Sequence, residues 1–171
     1  MISAWKPTSK KNNIIYPKCE VLVCPNNIFG IMNRGVSGEI ARRGGNLYQE
    51  VKKIIKSKKD WKIGDIFITE PFRFNRRSVL KIYHIILTKY PNEVMSLDII
   101  DSSINSLLKL AVKKKMKSIA FPPFGIEYFE PSILAKRMLT PCENFNHLID
   151  IKIISENENF VNVVEKYIKG K

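Results

Sequence analysis

Two loops hold the residues best suited to chemistry. The first runs from Pro25 to Ile40 and reads Pro25-Asn26-Asn27-Ile28-Phe29-Gly30-Ile31-Met32-Asn33-Arg34-Gly35-Val36-Ser37-Gly38-Glu39-Ile40. Glycines let the backbone come close to a ligand and take positive φ. Gly35 to Gly38 opens a helix, whose first N–H groups have no partner within the helix and suit phosphate oxygens. A plain tight turn would explain the same glycines. The second loop is Phe121-Pro122-Pro123-Phe124-Gly125-Ile126-Glu127-Tyr128-Phe129-Glu130-Pro131. Its Phe124, Tyr128 and Phe129 either flank a sugar or base or plug the core. Hydrolysis at such a site needs a placed water and stabilised charge. Asn27, Glu127 and His84 are the candidates, and Asn27 is the one carried forward as catalytic. His84 sits among apolar residues and reads as a packed strand residue. Cys19, Cys24 and Cys142 form neither a paired framework nor a zinc pattern, so no metal is expected.

These loops need elements to hold them. Val21 to Val23, closed by Pro25, reads as a buried strand. After the first loop, Ile40, Leu47, Val51, Ile54 and Ile55 recur at near-helical spacing. Gly44-Gly45 splits that pattern into two helices, with Asn46 as a cap for the second and Gln49 three residues on. Ile66 to Thr69 and Val79 to Thr88 read as strands, linked by Pro71 to Ser78. Ser96 to Lys114 is a long amphipathic helix with Ile99, Ile100, Ile104, Leu107, Leu108 and Ala111 in one stripe. Ser118 to Phe121 is a strand, Pro131 to Leu139 a short helix, Ile151 to Ile154 a strand and Asn157 to Lys169 a last helix. Alternating strands and helices predict an α/β sheet covered on both faces. Ligands of such sheets bind at the carboxyl ends of strands, where both loops lie.

Length and composition set the frame. The 171 residues suffice for a single domain, with residues 1–11 as a short N-terminal arm. No signal peptide is read in the polar start, and no apolar run is long enough to span a membrane. Sparse cysteines suit a reducing cytoplasm. The net charge is +13. Such a field attracts polyanions, yet the lysines fall in helical runs, Lys52 to Lys59 and Lys113 to Lys117, without interleaved aromatics. Solvated helix faces are the simpler reading, and a nucleic-acid surface is the alternative.

The order of these segments resembles the macro domain family from about Asn12 to the C-terminus. Cys24-Pro25-Asn26-Asn27 followed by Asn33-Arg34-Gly35-Val36 is similar to the family's Asn-Ala-Ala-Asn and Gly-Gly-Gly-Val, with the interval from Asn27 to Val36 ungapped. Gly44-Gly45-Asn46-Leu47, Trp61 to Thr69, Ile82-Tyr83-His84 and Ser118 to Pro123 resemble the successive family segments. The resemblance implies a three-layer α/β/α sandwich with a mixed central sheet. It implies a cleft for ADP-ribose or an ADP-ribosylated macromolecule, with no cofactor. Gly35, Val36, Ser37 and Gly38 would cradle the diphosphate, and Arg34 would either pair with phosphate or block the path. Gly125, Ile126, Glu127 and Tyr128 would close over it. Asn27 would meet the distal ribose, and Asn13-Ile14 the adenine. Ser37 stands where one hydrolytic branch carries Asp, so binding is expected ahead of catalysis. A weak hydrolase acting on an ADP-ribosyl ester or glycosidic bond is the enzymatic extension. A basic macro fold with a degenerate cleft that binds RNA or DNA is the alternative.

Overall fold

Six strands form one mixed sheet whose central strands β2 and β4 are buried almost throughout, because successive side chains face opposite helical layers. The structure, a computed structural model, describes residues 1–7 and 18–170. The elements in chain order are β1 (Ile2–Trp5), β2 (Val21–Asn27), α1 (Gly35–Arg43), α2 (Leu47–Ser57), β3 (Ile66–Thr69), a 3-10 turn (Phe72–Arg77), β4 (Lys81–Thr88), α3 (Leu97–Lys113), β5 (Ser118–Phe121), α4 (Pro131–Glu143), β6 (Asp150–Ile154) and α5 (Glu158–Lys169). The sheet order is β1-β6-β5-β2-β4-β3. All neighbours run parallel except β3 and β4.

On one face Val21, Val23, Tyr83, Ile85, Ile119 and Phe121 pack against α3, α4 and α5. On the other Leu22, Cys24, Ile82, Ile86 and Ala120 pack against α1 and α2. The expected three-layer α/β/α sandwich is therefore present. The α3 stripe is buried as read, with Ser103 joining it and Ile99 only partly covered. Ser96 and Asn157 cap α3 and α5, their side chains accepting from the Ile99 and Phe160 N–H groups.

Several local expectations are corrected. Ile2–Trp5, read as part of an arm, forms an edge strand parallel to β6. Ile2-Ser3-Ala4-Trp5 has a single β-branched residue and no turn signal ahead of it, so nothing local marks a strand. β2 runs past Pro25 to Asn27. Its partner β5 pairs only with Val21 and Leu22, so one edge of β2 is already open where proline lacks its N–H. Asn46 precedes α2, but its side chain makes no cap hydrogen bond. α4 continues through Pro141 to Glu143, because Met138, Leu139, Pro141 and Cys142 are all buried and hold the last turn.

Candidate functional site

The chain leaves β2 through α1 and α2 toward β4 and β3, and leaves β5 through α4 toward β6. The direction of winding therefore reverses between β2 and β5. Such a reversal opens a crevice at the carboxyl ends of the strands. The structure has a two-lobed cleft there. One lobe, about 490 Å³, lies between α1 and the ends of β5 and β6, and is mainly apolar: Leu22, Val36, Ile40, Ile126 and Ile154 line it. The other, about 550 Å³, is the more polar of the two: Asn26, Asn27, Arg34, Ser37, Thr88, Glu127 and Tyr128 line it beside apolar residues such as Leu87 and Met95. Gly35, Val36, Pro123 and Ile126 border both lobes. The waist of the cleft is thus the start of α1 facing the second loop.

At that waist Arg34 is extended and Gly35 takes φ +57°. The Arg34 carbonyl accepts from the Gly38 N–H at 2.9 Å and from the Ser37 hydroxyl at 3.3 Å. The amides of Gly35, Val36 and Ser37 find no acceptor among the described residues. Arg34 is exposed and lines the more polar lobe, while Gly35 faces open space: a β-carbon built on it meets nothing within 4 Å. The waist is open, with donors aimed outward and a cation beside them. Gly38 departs from the expected cradle. Its amide is already satisfied, and a β-carbon there would lie 3.0 Å from the Asn33 carbonyl carbon. It is a close-packing glycine that lets α1 start tightly.

The second loop turns at Gly125, φ +79°, with Tyr128 N–H donating to its carbonyl at 2.9 Å. The three aromatics separate by role. Phe124 is core, edge-on to Phe121 at 6.3 Å, and Phe129 packs against the same cluster. Tyr128 is 41% exposed and lines the polar lobe with Glu127.

Asn27 reaches the polar lobe through a register shift between Asn26 and Asn27 at the end of β2. Its Oδ1 accepts from the Phe29 and Ile31 N–H groups, each at 3.2 Å, and its Nδ2 donates to the Ile31 carbonyl at 2.9 Å. The carboxamide therefore braces its own loop, and one Nδ2 hydrogen remains to offer a ligand. Asn26 orients His84. Its Oδ1 accepts from the Asn27 N–H, so Nδ2 faces His84 Nδ1 at 3.4 Å. Nδ1 is then the acceptor and Nε2 carries the proton toward Thr69 Oγ1 at 3.0 Å. The imidazole stacks on Phe67 at 4.5 Å, and complete burial pushes its pKa down to about 3. His84 is a neutral structural residue. Cys24 is fully buried, which raises its thiol pKa and keeps it protonated.

In the apolar lobe, burial opposes ionisation of Glu39, but hydrogen bonds from Arg42 and Arg43 outweigh it and hold the carboxyl below its ordinary range. Its charge is neutralised in place and adds little repulsion to an anion at the waist. Among the described residues no group of three or more His, Cys, Asp and Glu side chains could hold a metal ion, and no helix is long and apolar enough to cross a membrane. Asn13 and Ile14 lie outside the described residues. Sequence reasoning missed Ser155, Glu156 and Asn157, which border the apolar lobe at the carboxyl end of β6. The strand-end rule applied to the other two loops would have found them.

The macro domain model matches residues 23–133. The chain belongs to the macro domain family. Its match covers β2, the first loop, the waist, β5 and the second loop, ending in the first turn of α4. No curated protein matches at the sequence level. Among solved structures, the macrodomain of Mycobacterium tuberculosis DarG superposes with a TM-score of 0.75 at 19% identity, covering 92% of this chain and 99% of that one. An Oceanobacillus iheyensis macrodomain variant solved with ADPR gives 0.75 at 19%, covering 90% and 88%. A Trypanosoma brucei macrodomain solved with ADP-ribose gives 0.69 at 17%, covering 88% and 64%. At these identities the structural likenesses speak to the fold, and this macro domain's ligand has to be argued from its own cleft.

Proposed function

We propose that this macro domain binds ADP-ribose, free or attached to a macromolecule. One observation carries the reading: an apolar lobe and a polar lobe meet at unsatisfied amides on an open helix start. Volumes of this size are ordinary for small-ligand pockets. The apolar lobe suits a flat base with its ribose. The waist suits a pyrophosphate, received by the Gly35, Val36 and Ser37 amides with Arg34 beside them. The polar lobe suits a second sugar, within reach of the spare Asn27 hydrogen and of Tyr128. That relatives at similar TM-scores were solved with ADPR and with ADP-ribose supports the choice of ligand.

A calorimetric titration tests the assignment. ADP-ribose is expected to bind more tightly than AMP, which fills one lobe and reaches the waist with a single phosphate. At 100 times its Kd a native-state ligand adds about 2.7 kcal/mol of stability. In a domain of this size that raises Tm by roughly 5–10 °C. No heat and no shift at millimolar ADP-ribose would remove the proposal.

Binding is favoured over turnover. The Asn27 oxygen is committed to two backbone donors, and Ser37 supplies no carboxylate at the waist. Incubation with an ADP-ribosylated protein is therefore expected to release no more ADP-ribose than the blank. Release that exceeds the blank and drops in Asn27→Ala would restore a hydrolase. The alternative of a degenerate cleft given over to nucleic acid is disfavoured by the open waist.

A further inference from the structure

Beside the polar lobe, and outside it, three segments far apart in sequence bring rings and lysines together. Phe29 and Tyr90, 46% and 47% exposed, stack at 5.3 Å with planes 27° apart. They meet because the Ile28 N–H donates to the Thr88 carbonyl at 3.2 Å, which joins the first loop to the end of β4. Lys89 Nζ lies 5.4 Å from the Tyr90 ring centre. The last turn of α2 touches the same loop, since a β-carbon on Gly30 would sit 2.8 Å from Ile55. Trp61 is fastened to that turn by its Nε1 donating to the Ile55 carbonyl at 3.0 Å, and Lys58 Nζ stands 4.5 Å over its ring. The Gly64 N–H donates to the Ile86 carbonyl at 2.7 Å, which brings the Lys62–Ile63 pair to the same end of the sheet as Lys89 and Tyr90. Ile63 is 47% exposed.

We infer that this surface binds single-stranded nucleic acid, with bases on the Phe29–Tyr90 stack and phosphates on Lys62 and Lys89, while Lys58 stays paired with the Asp65 carboxylate at 2.9 Å. Rings interleaved with cations are what such strands need: stacking holds the bases and ammonium groups hold the backbone. A duplex hides its base faces and gains only the charge term. The net charge of +13 supplies the attraction at long range. Stacking and phosphate contacts do not read the sugar, so DNA and RNA strands are expected to bind alike. Neither Phe29 nor Tyr90 borders the ADP-ribose cleft, so the two binding events can be separated.

The test is fluorescence anisotropy of a labelled twelve-nucleotide oligothymidylate at low salt, repeated with its RNA counterpart and with a duplex. The expected result is saturable single-strand binding, weaker for the duplex. With two phosphate contacts, log K should fall against log salt with a slope of about −1.4. Tyr90→Ala and Phe29→Ala should each weaken binding on the order of tenfold. Lys113→Ala with Lys114→Ala, at the far end of α3, should change it less than twofold. Circular dichroism and an unchanged Tm verify that the exposed-site variants fold. Absence of binding at low salt overturns the inference. So does equal binding of the duplex, displacement by polyglutamate as effective as by unlabelled strand, or a Lys113/Lys114 effect larger than that of Tyr90→Ala.

Discussion

Gly35→Glu is expected to abolish ADP-ribose binding while leaving the fold in place. Gly35 sits at the waist shared by both lobes, and its missing side chain points into open space. The protein can accommodate a substituent there, and it is the ligand that cannot. At 4 Å and an effective dielectric of about 20, the new carboxylate and a phosphate charge repel by about 4 kcal/mol. That is about a thousandfold in Kd. The variant also pays for a non-glycine residue at φ +57°, roughly 1–2 kcal/mol of stability. Gly64→Glu separates the two effects. Gly64 has φ +95° and equally open surroundings, but lies in the turn before β3, away from the cleft. It should lose comparable stability and keep ADP-ribose affinity. Titration calorimetry on both variants decides the matter. Affinity of Gly35→Glu within threefold of the parent would move the pyrophosphate away from the start of α1.

Acid is expected to weaken the fold through His84. Its folded pKa of about 3 lies below the ordinary value of 6.5. Below pH 6.5 the unfolded chain takes up a proton that the native chain refuses. The stabilisation is complete above pH 6.5 and is lost as pH falls toward 3. Each pH unit inside that window costs up to about 1.4 kcal/mol. The cause is structural: the Asn26 amide occupies Nδ1 as a donor, so an imidazolium would set an N–H against an N–H group in a dry layer. His84→Gln removes the titration but keeps a donor and an acceptor. It should be less stable at pH 7, having lost the stack on Phe67. The gap between parent and variant in urea unfolding should then shrink by on the order of 3 kcal/mol between pH 7 and pH 4. Carboxylates common to both proteins cancel in that difference. A pH-independent gap would mean that His84 is solvated or charged in the native state.

Much of this macro domain could be read from local patterns. β3 and β5 lie where their residue types and bounding turns predict, and the Gly44-Gly45 break between α1 and α2 is as expected. Period-two and period-3.6 burial is written in neighbouring residues, so it survives without knowledge of the fold. The two loops that line the cleft were also legible, because sheets of this kind open their crevices at strand ends that lead into helices. β1 was not: Ile2-Ser3-Ala4-Trp5 lacks the β-branched run and the preceding turn that mark β3, an edge strand of the same length, and its strand character comes from β6 beside it.

Tertiary structure alone decided what several of those residues do. Asn27 reads as a ligand contact in sequence, yet its oxygen is spent on Phe29 and Ile31. Phe124, Tyr128 and Phe129 lie within six residues of chain, yet Phe124 and Phe129 pack into the core and only Tyr128 is substantially exposed at the cleft. Trp61-Lys62 and Lys89-Tyr90 are neighbours in the sequence, but only the fold stacks Phe29 on Tyr90 and brings Lys62 and Lys89 to one end of the sheet. The physical reason is the range of the determinant. Residue type and spacing fix which atoms are offered locally, whereas strand order and register choose which of them meet across tens of residues and which are consumed on the way.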